Sequence, residues 1–300
     1  MPTPKTSNAA ARSHQRALNL PGATPVALTS FGLLNTTTGD LGAYIDANGQ
    51  LVGSAGYAGR SIYEDFNGLA TTDQISLILP SGATAAGLAQ DALALLYTPT
   101  GNVFGVRALG GAQTLPPTIV AAGLDIGGDQ TFSEGYLLFS HWTGATGRPF
   151  CVGKDPAFFF ECKFQVTVIS GTDTLFVGFR RAESVTNNVL ANFADYAGVG
   201  FNTSESPGAI KLIAEVNGSA PANYPKDTTQ TLASATAITV KVLVSAAGVI
   251  TYTINGAAPT ATAAATFDTG DPLIPVFHFL NEVESTTQGI VIHSWKAGYQ

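Results

Sequence analysis

Charge is the scarcest property of this chain: Asp, Glu, Lys and Arg together make up 12% of its 300 residues, against roughly 25% in an ordinary soluble domain. A surface with so few charges has to be covered with Thr, Ser, Asn, Gln, Gly and backbone, and such a surface is poorly defended against association. Part of it is therefore expected to lie against another subunit. Cysteine is nearly absent. Cys151 and Cys162 could pair or could sit reduced in or near strands, but one conceivable bridge is no disulfide framework, and no C-x-x-C spacing points to zinc. No apolar run reaches the ~18 residues a membrane span needs. Residues 1–22 lack an apolar leader segment, so no secretory signal is expected. The sequons at Asn35, Asn202 and Asn217 then read as accidents of a Thr- and Asn-rich composition, because glycosylation needs secretion.

Acidic residues are missing from positions 1–39, which hold Lys5, Arg12 and Arg16; the first acid is Asp40. The remainder carries 11 basic against 21 acidic side chains, a formal charge of −10 within a total of −7. A cationic, Pro-containing arm in front of an acidic body suggests electrostatic docking of the arm on an acidic surface, or else a solvated terminus. Three cations fall short of the roughly six to ten phosphate contacts of a nucleic-acid binder, so no nucleic-acid partner is expected, nor a membrane.

What the chain does have is a succession of short β-branched and aromatic runs. From Phe158 onward it reads FFFECKFQVTVI, TLFVGFRRAE, YAGVGFN, AIKLIAEVNG, AITVKVLVS, GVITYTING, LIPVFHFLNE and GIVIHSWKAGYQ, separated by Gly, Asn, Asp, Pro and Ser. Such runs at even spacing indicate an all-β sandwich or barrel. Polar Lys163, Gln165 and Thr167 alternate with apolar Phe164, Val166 and Val168, the period of a strand with one buried face. Ahead of this lie an extended arm (1–38) and a small mixed α/β element (39–112). The element comprises a hairpin turning at Asp46-Ala47-Asn48-Gly49, strands near Ser61–Tyr63, Gln74–Leu79 and Val103–Ala108, and a helix over 85–97. In that helix Leu88, Ala92, Leu95 and Leu96 share a face, and Pro99 ends it. Gly110-Gly111 and Pro116-Pro117 mark the boundary to the large β domain at 113–300.

Catalytic signatures are sparse. No Gly-x-Ser-x-Gly elbow occurs, and the glycine doublets do not open a helix as a phosphate loop would. Glu161, Glu282 and Glu284 are the nearest approach to a carboxylate pair, without the spacing that retaining glycoside hydrolysis requires. His278 and His293 are dispersed, with adjacent strands one arrangement that would bring them together; without a third ligand nearby, packing or surface placement explains them better.

The order FECKFQVTV, LFVGFRRAE, AIKLIAEVNG, ITVKVLVSAAGVITYTING, PLIPVFHFLNE and GIVIHSWKAGYQ resembles the concanavalin A-like lectin and glucanase jelly roll, in particular the versions in structural proteins of tailed bacteriophages. The resemblance covers about 118–300 and lies in strand order and turn chemistry. It implies two antiparallel sheets, one of them concave and used for sugar or protein contact. Combined with the charge-poor surface, it sets three expectations. The first is a non-enzymatic virion protein without cofactor, a capsid decoration (cement) protein made in the host cytoplasm. Lys5, Arg12 and Arg16 would contact the shell, and the partners would be the major capsid protein and further copies, a trimer among the options. The second is a fibre or receptor-recognition module binding host glycan through Trp142, Tyr224 and Tyr252. The third is a glycoside hydrolase.

Overall fold

The computed structural model describes residues 31–34, 41–45, 51–53, 62–65, 76–78, 93–97, 103–110, 118–126, 134–140, 149–167, 173–182, 190, 193–201, 208–281 and 289–300. The chain divides into two units, 1–61 with Tyr299 and 62–298 with Gln300. In the first unit β1 (Phe31–Leu34), β2 (Leu41–Ile45) and β3 (Leu51–Gly53) make an antiparallel sheet, and Ile45 opposite Leu51 closes the expected hairpin.

The second unit holds β4 (Ile62–Asp65), β5 (Ser76–Ile78), β6 (Leu93–Tyr97), β7 (Val103–Gly110), β8 (Thr118–Val120), β9 (Gly123–Asp125), β10 (Glu134–Ser140), β11 (Phe150–Cys151) and β12 (Phe158–Val166). It continues with β13 (Asp173–Arg181), β14 (Tyr196–Phe201), β15 (Ala209–Glu215), β16 (Lys226–Thr231), β17 (Ile238–Val244), β18 (Ile250–Ile254), β19 (Pro272–Asn281) and β20 (Ile290–Tyr299). These strands form two sheets. The larger runs β16-β15-β14-β13-β19-β10-β7-β6-β5, with β11 also on β19; the smaller runs β18-β17-β12-β20-β9-β8, with β4 also on β20. Every described pairing is antiparallel, and the second unit is a two-sheet β-sandwich, as the period-two runs led us to expect, of the jelly-roll kind that the resemblance implied.

One expectation is corrected. Leu93–Tyr97, the second half of the stretch read as a helix, is a strand, with Leu95 opposite Gly105 on β7 and opposite Ile78 on β5. Leu- and Ala-rich sequence favours helix only weakly, and two flanking ladders supply every backbone partner a strand needs. Residues 85–92 lie outside the described residues. Strands from the 39–112 stretch also enter both sheets of the sandwich: β7 lies beside β10, and β4 pairs with β20.

The core between the sheets is aromatic. Phe158 and Phe160 on β12 meet Phe179 on β13 with ring centroids 5.2 and 6.2 Å apart, and Phe164 meets Phe277 on β19 at 5.1 Å. Trp295 on β20, fully buried, packs on Phe160 at 4.4 Å and on Phe104 of β7 at 5.4 Å. Such ring pairs contribute about 0.5–1.5 kcal/mol each beyond the area they bury. The alternation on β12 is as read: Phe160, Cys162 and Phe164 point inward, while Glu161 and Lys163 stand on the outer face. Cys151 and Cys162 are both free thiols, and burial, then the neighbouring Glu161, pushes the Cys162 thiol well above its ordinary range.

Candidate functional site

Polar side chains converge at one end of the larger sheet, where β13 ends, β14 begins, β15 ends and β19 begins. Asp195, fully buried, accepts from Arg181 Nη1 at 3.1 Å and from the Asn217 backbone N–H at 2.7 Å. Asn217 adopts a left-handed backbone (φ 55°), which Asn tolerates better than most side chains. Its amide Nδ2 donates to Asp268 at 2.8 Å. Asp271 accepts from the Asp268 backbone N–H at 2.9 Å, and Asp155 from the Cys151 N–H at 2.8 Å. Burial raises the pKa of Asp271, and the negative charge of Asp195 adds to the shift. The bonds from Arg181 through Asp195 and Asn217 to Asp268 tie the end of β13 to three loops. Each of these carboxylates is held by a nearby donor, so the arrangement fixes geometry at the end of the sandwich. Among the described residues no group of three His, Cys, Asp or Glu side chains could hold a metal ion.

Beside this rim, the face of the larger sheet turned away from its partner sheet carries a second apolar cluster. Leu137, Phe139, Phe176, Val276 and Leu280 lie on the strands, and Leu190 and Phe193 pack over them. Gly178 and Gly198 stand opposite each other on β13 and β14, and the Phe176 ring lies over both, so close that a Cβ on Gly198 would come within 2.7 Å of it. The Arg180 guanidinium, 2% exposed, sits 4.4 Å from the Phe193 ring centroid and donates to the Arg181 carbonyl at 3.1 Å. Tyr196 donates its hydroxyl to Glu215 at 2.9 Å. Burial, then that hydrogen bond, then the carboxylate charge hold this phenol far above its ordinary pKa. One outer face of the sandwich is thus filled by the chain's own apolar side chains.

The residues singled out from the sequence fall in three places. Lys5, Arg12, Arg16 and Trp142 lie outside the described residues, as do Glu282 and Glu284. Tyr224 and Tyr252 are brought together, their hydroxyls 3.1 Å apart, and Tyr224 also donates to the Ala263 carbonyl at 2.9 Å. Tyr252 is buried on the inner face of β18. Burial raises both phenol pKa values, and the charge of Tyr224 adds to the shift at Tyr252. The pair seals the edge of the core instead of forming an exposed stacking platform.

His278 and His293, considered as neighbours on adjacent strands, are separated. β19 belongs to the larger sheet and β20 to the smaller, and both imidazoles are buried, His293 against the Ala122 carbonyl at 2.6 Å. Glu161 lies 3.9 Å from Lys241. The rim network was missed from sequence because its members are scattered between positions 151 and 271; the one local signal is Asp268-Thr269-Gly270-Asp271, a turn with two acids.

No family model matches the chain, and no curated protein matches it. Solved structures give low-level likenesses. The carbohydrate recognition domain of Emp47p is 13% identical, with 73% of this chain and 99% of that one covered and a TM-score of 0.49. An alginate lyase from Pseudomonas aeruginosa is 11% identical over 77% and 100%, with a TM-score of 0.44. The botulinum neurotoxin serotype D binding domain is 10% identical over 79% and 50%, with a TM-score of 0.40. At these values the likenesses carry no argument about what this chain binds or does, and the fold stands on its own strand pairing and packing.

Proposed function

We propose that the chain works by adhesion and performs no bond-breaking chemistry, and that its setting is the surface of a virus particle, where it decorates and reinforces the shell. The observation that carries the adhesive reading is the use made of its acids. Asp155 accepts from the Cys151 N–H, Asp195 from Arg181 and Asn217, Asp268 from Asn217 and Asp271 from the Asp268 N–H, while Glu215 accepts from Tyr196 and Glu161 stands beside Lys241. These are the ties of a rigid scaffold. A body with 12% charged residues offers neutral faces to neighbours, and the cationic residues Lys5, Arg12 and Arg16 give the N-terminal part a complement for an acidic shell protein or for further copies. A stable contact of this kind buries roughly 1,200 Å² or more.

The test is co-sedimentation with intact shells. The full chain should pellet with them, and a chain starting at Ile62, which keeps both sheets of the second unit, should stay in solution. Equal pelleting of both would remove the N-terminal part from the mechanism, and failure of both to bind would remove the shell.

A second reading, recognition of a glycan, is favoured by one observation: a ring flanked by two lysines among hydroxyl side chains on the smaller sheet.

A further inference from the structure

On the outer face of the smaller sheet, three adjacent strands place Lys241 (β17), Phe159 (β12) and Lys296 (β20) in one group. The ammonium nitrogens lie 4.5 and 5.6 Å from the centroid of the Phe159 ring. The two charges are therefore within about 10 Å of each other, a distance over which salt at 0.1 M screens incompletely. Lys163 stands exposed further along the same face of β12. Against these three cations stand Glu161, 3.9 Å from Lys241, and, by backbone register, Asp65 of β4 opposite Ser294. Neither Lys163 nor Lys296 has a carboxylate partner among the described residues. Like charges are gathered here on a chain whose formal net charge is −7.

Hydroxyl side chains share the face: by register with Lys163, Leu243 and Lys241, the residues Thr239, Thr251 and Thr253 stand on the same side.

We propose that this face binds an acidic polysaccharide, a chain of uronate or sulfated sugars laid across β17, β12 and β20. The lysines would pair with carboxylate or sulfate groups and the threonines would bond sugar hydroxyls, while the Phe159 ring beneath them holds the two ammonium groups in place. The face excludes other polyanions on its own terms. Three lysines are too few for a nucleic acid, where six to ten or so phosphate contacts are usual. A lipid surface would need exposed apolar side chains, and Phe159 is 8% exposed beneath its lysines. The proposal rests on the glycan reading and gives it a site; it requires neither a shell nor the N-terminal cations.

Calorimetric titration of the full chain at low and at physiological salt tests it. The ligands are an oligouronate hexamer, a sulfated hexasaccharide, a neutral hexasaccharide and poly-glutamate of matched charge. Binding of the uronate or the sulfated sugar should weaken with salt and fall about tenfold or more, some 1.4 kcal/mol, in Lys241→Gln/Lys296→Gln. The Lys226→Gln variant, altered on the edge strand of the other sheet, should bind as the parent does. Circular dichroism checks that each variant keeps its strands. Poly-glutamate binding as tightly as the sugars would overturn the proposal, as would a double variant that binds unchanged. Neutral-sugar binding that survives the double substitution would also overturn it while leaving glycan recognition standing. No sugar binding at millimolar concentration would remove both.

Discussion

Asp271 and the tyrosines show how burial writes a pH dependence into single residues. Asp271 has its pKa raised, first by burial and then by Asp195, so folding disfavours its ionised form. The sign follows: its contribution is neutral in acid, where folded and unfolded chains both hold the proton, and becomes unfavourable as pH rises past the ordinary carboxylate value, near 4. Asp271→Asn keeps an acceptor for the Asp268 N–H and removes the charge. Its melting temperature relative to the parent should therefore be higher at pH 7 than at pH 3; a gap that narrows with rising pH would contradict the assignment.

Tyr196 and Tyr252 act in the alkaline range. Burial raises both phenols, assisted by Glu215 and Tyr224 respectively. Their contribution to stability is intact below about pH 10 and is lost as pH climbs beyond it. Ultraviolet titration should leave these two of the nine tyrosines un-ionised while the fold persists, then show them ionising as it unfolds. A single step near pH 10 for all nine, with native circular dichroism retained, would refute this.

At the scale of elements, the meeting of β13 and β14 depends on small residues. A methyl on Gly198 would come within 2.4 Å of the Val177 carbonyl and 2.7 Å of the Phe176 ring. Gly198→Ala should cost about 1–3 kcal/mol by overpacking, read as a lowered urea midpoint with unchanged slope. Phe176→Leu in the same chain should recover part of the loss, because the ring is the movable half of the clash. On β20, Trp295→Ala should cost about 3–5 kcal/mol through the cavity it leaves between Phe104 and Phe160.

The strands themselves were legible wherever one face is buried. Phe160, Cys162 and Phe164 against Glu161 and Lys163 give β12 its period, and Tyr252 between Thr251 and Thr253 gives β18 its own. The helix expected over 85–97 failed at Leu93–Tyr97 because its apolar spacing also suits a strand between two others, and only the partners decide. The rim network was invisible for a different reason. Arg181, Asp195, Asn217 and Asp268 acquire meaning only when the end of β13 and three loops arrive at one place.

For the molecule as a whole, the ties that join the hairpins into sheets are non-local. β13 lies against β19 across roughly 100 residues of chain and β12 against β17 across roughly 80, and sandwiches of this kind fold in milliseconds to seconds, not microseconds. The smaller sheet has one further property. β20, built from residues 290–299, lies between β12 on one side and β9 and β4 on the other. A chain ending at Gly289 should therefore retain strand content yet lose near-ultraviolet dichroism and bind a hydrophobic dye, as an open core would; a native spectrum from that chain would contradict the topology. On the ribosome, β12 and the strands β4 and β9 have to wait, unjoined, while residues 167–299 are polymerised. Synthesis at about 5–20 residues per second makes that interval one of several seconds, with Phe160 and Phe104 open to capture by a chaperone until Trp295 leaves the exit tunnel.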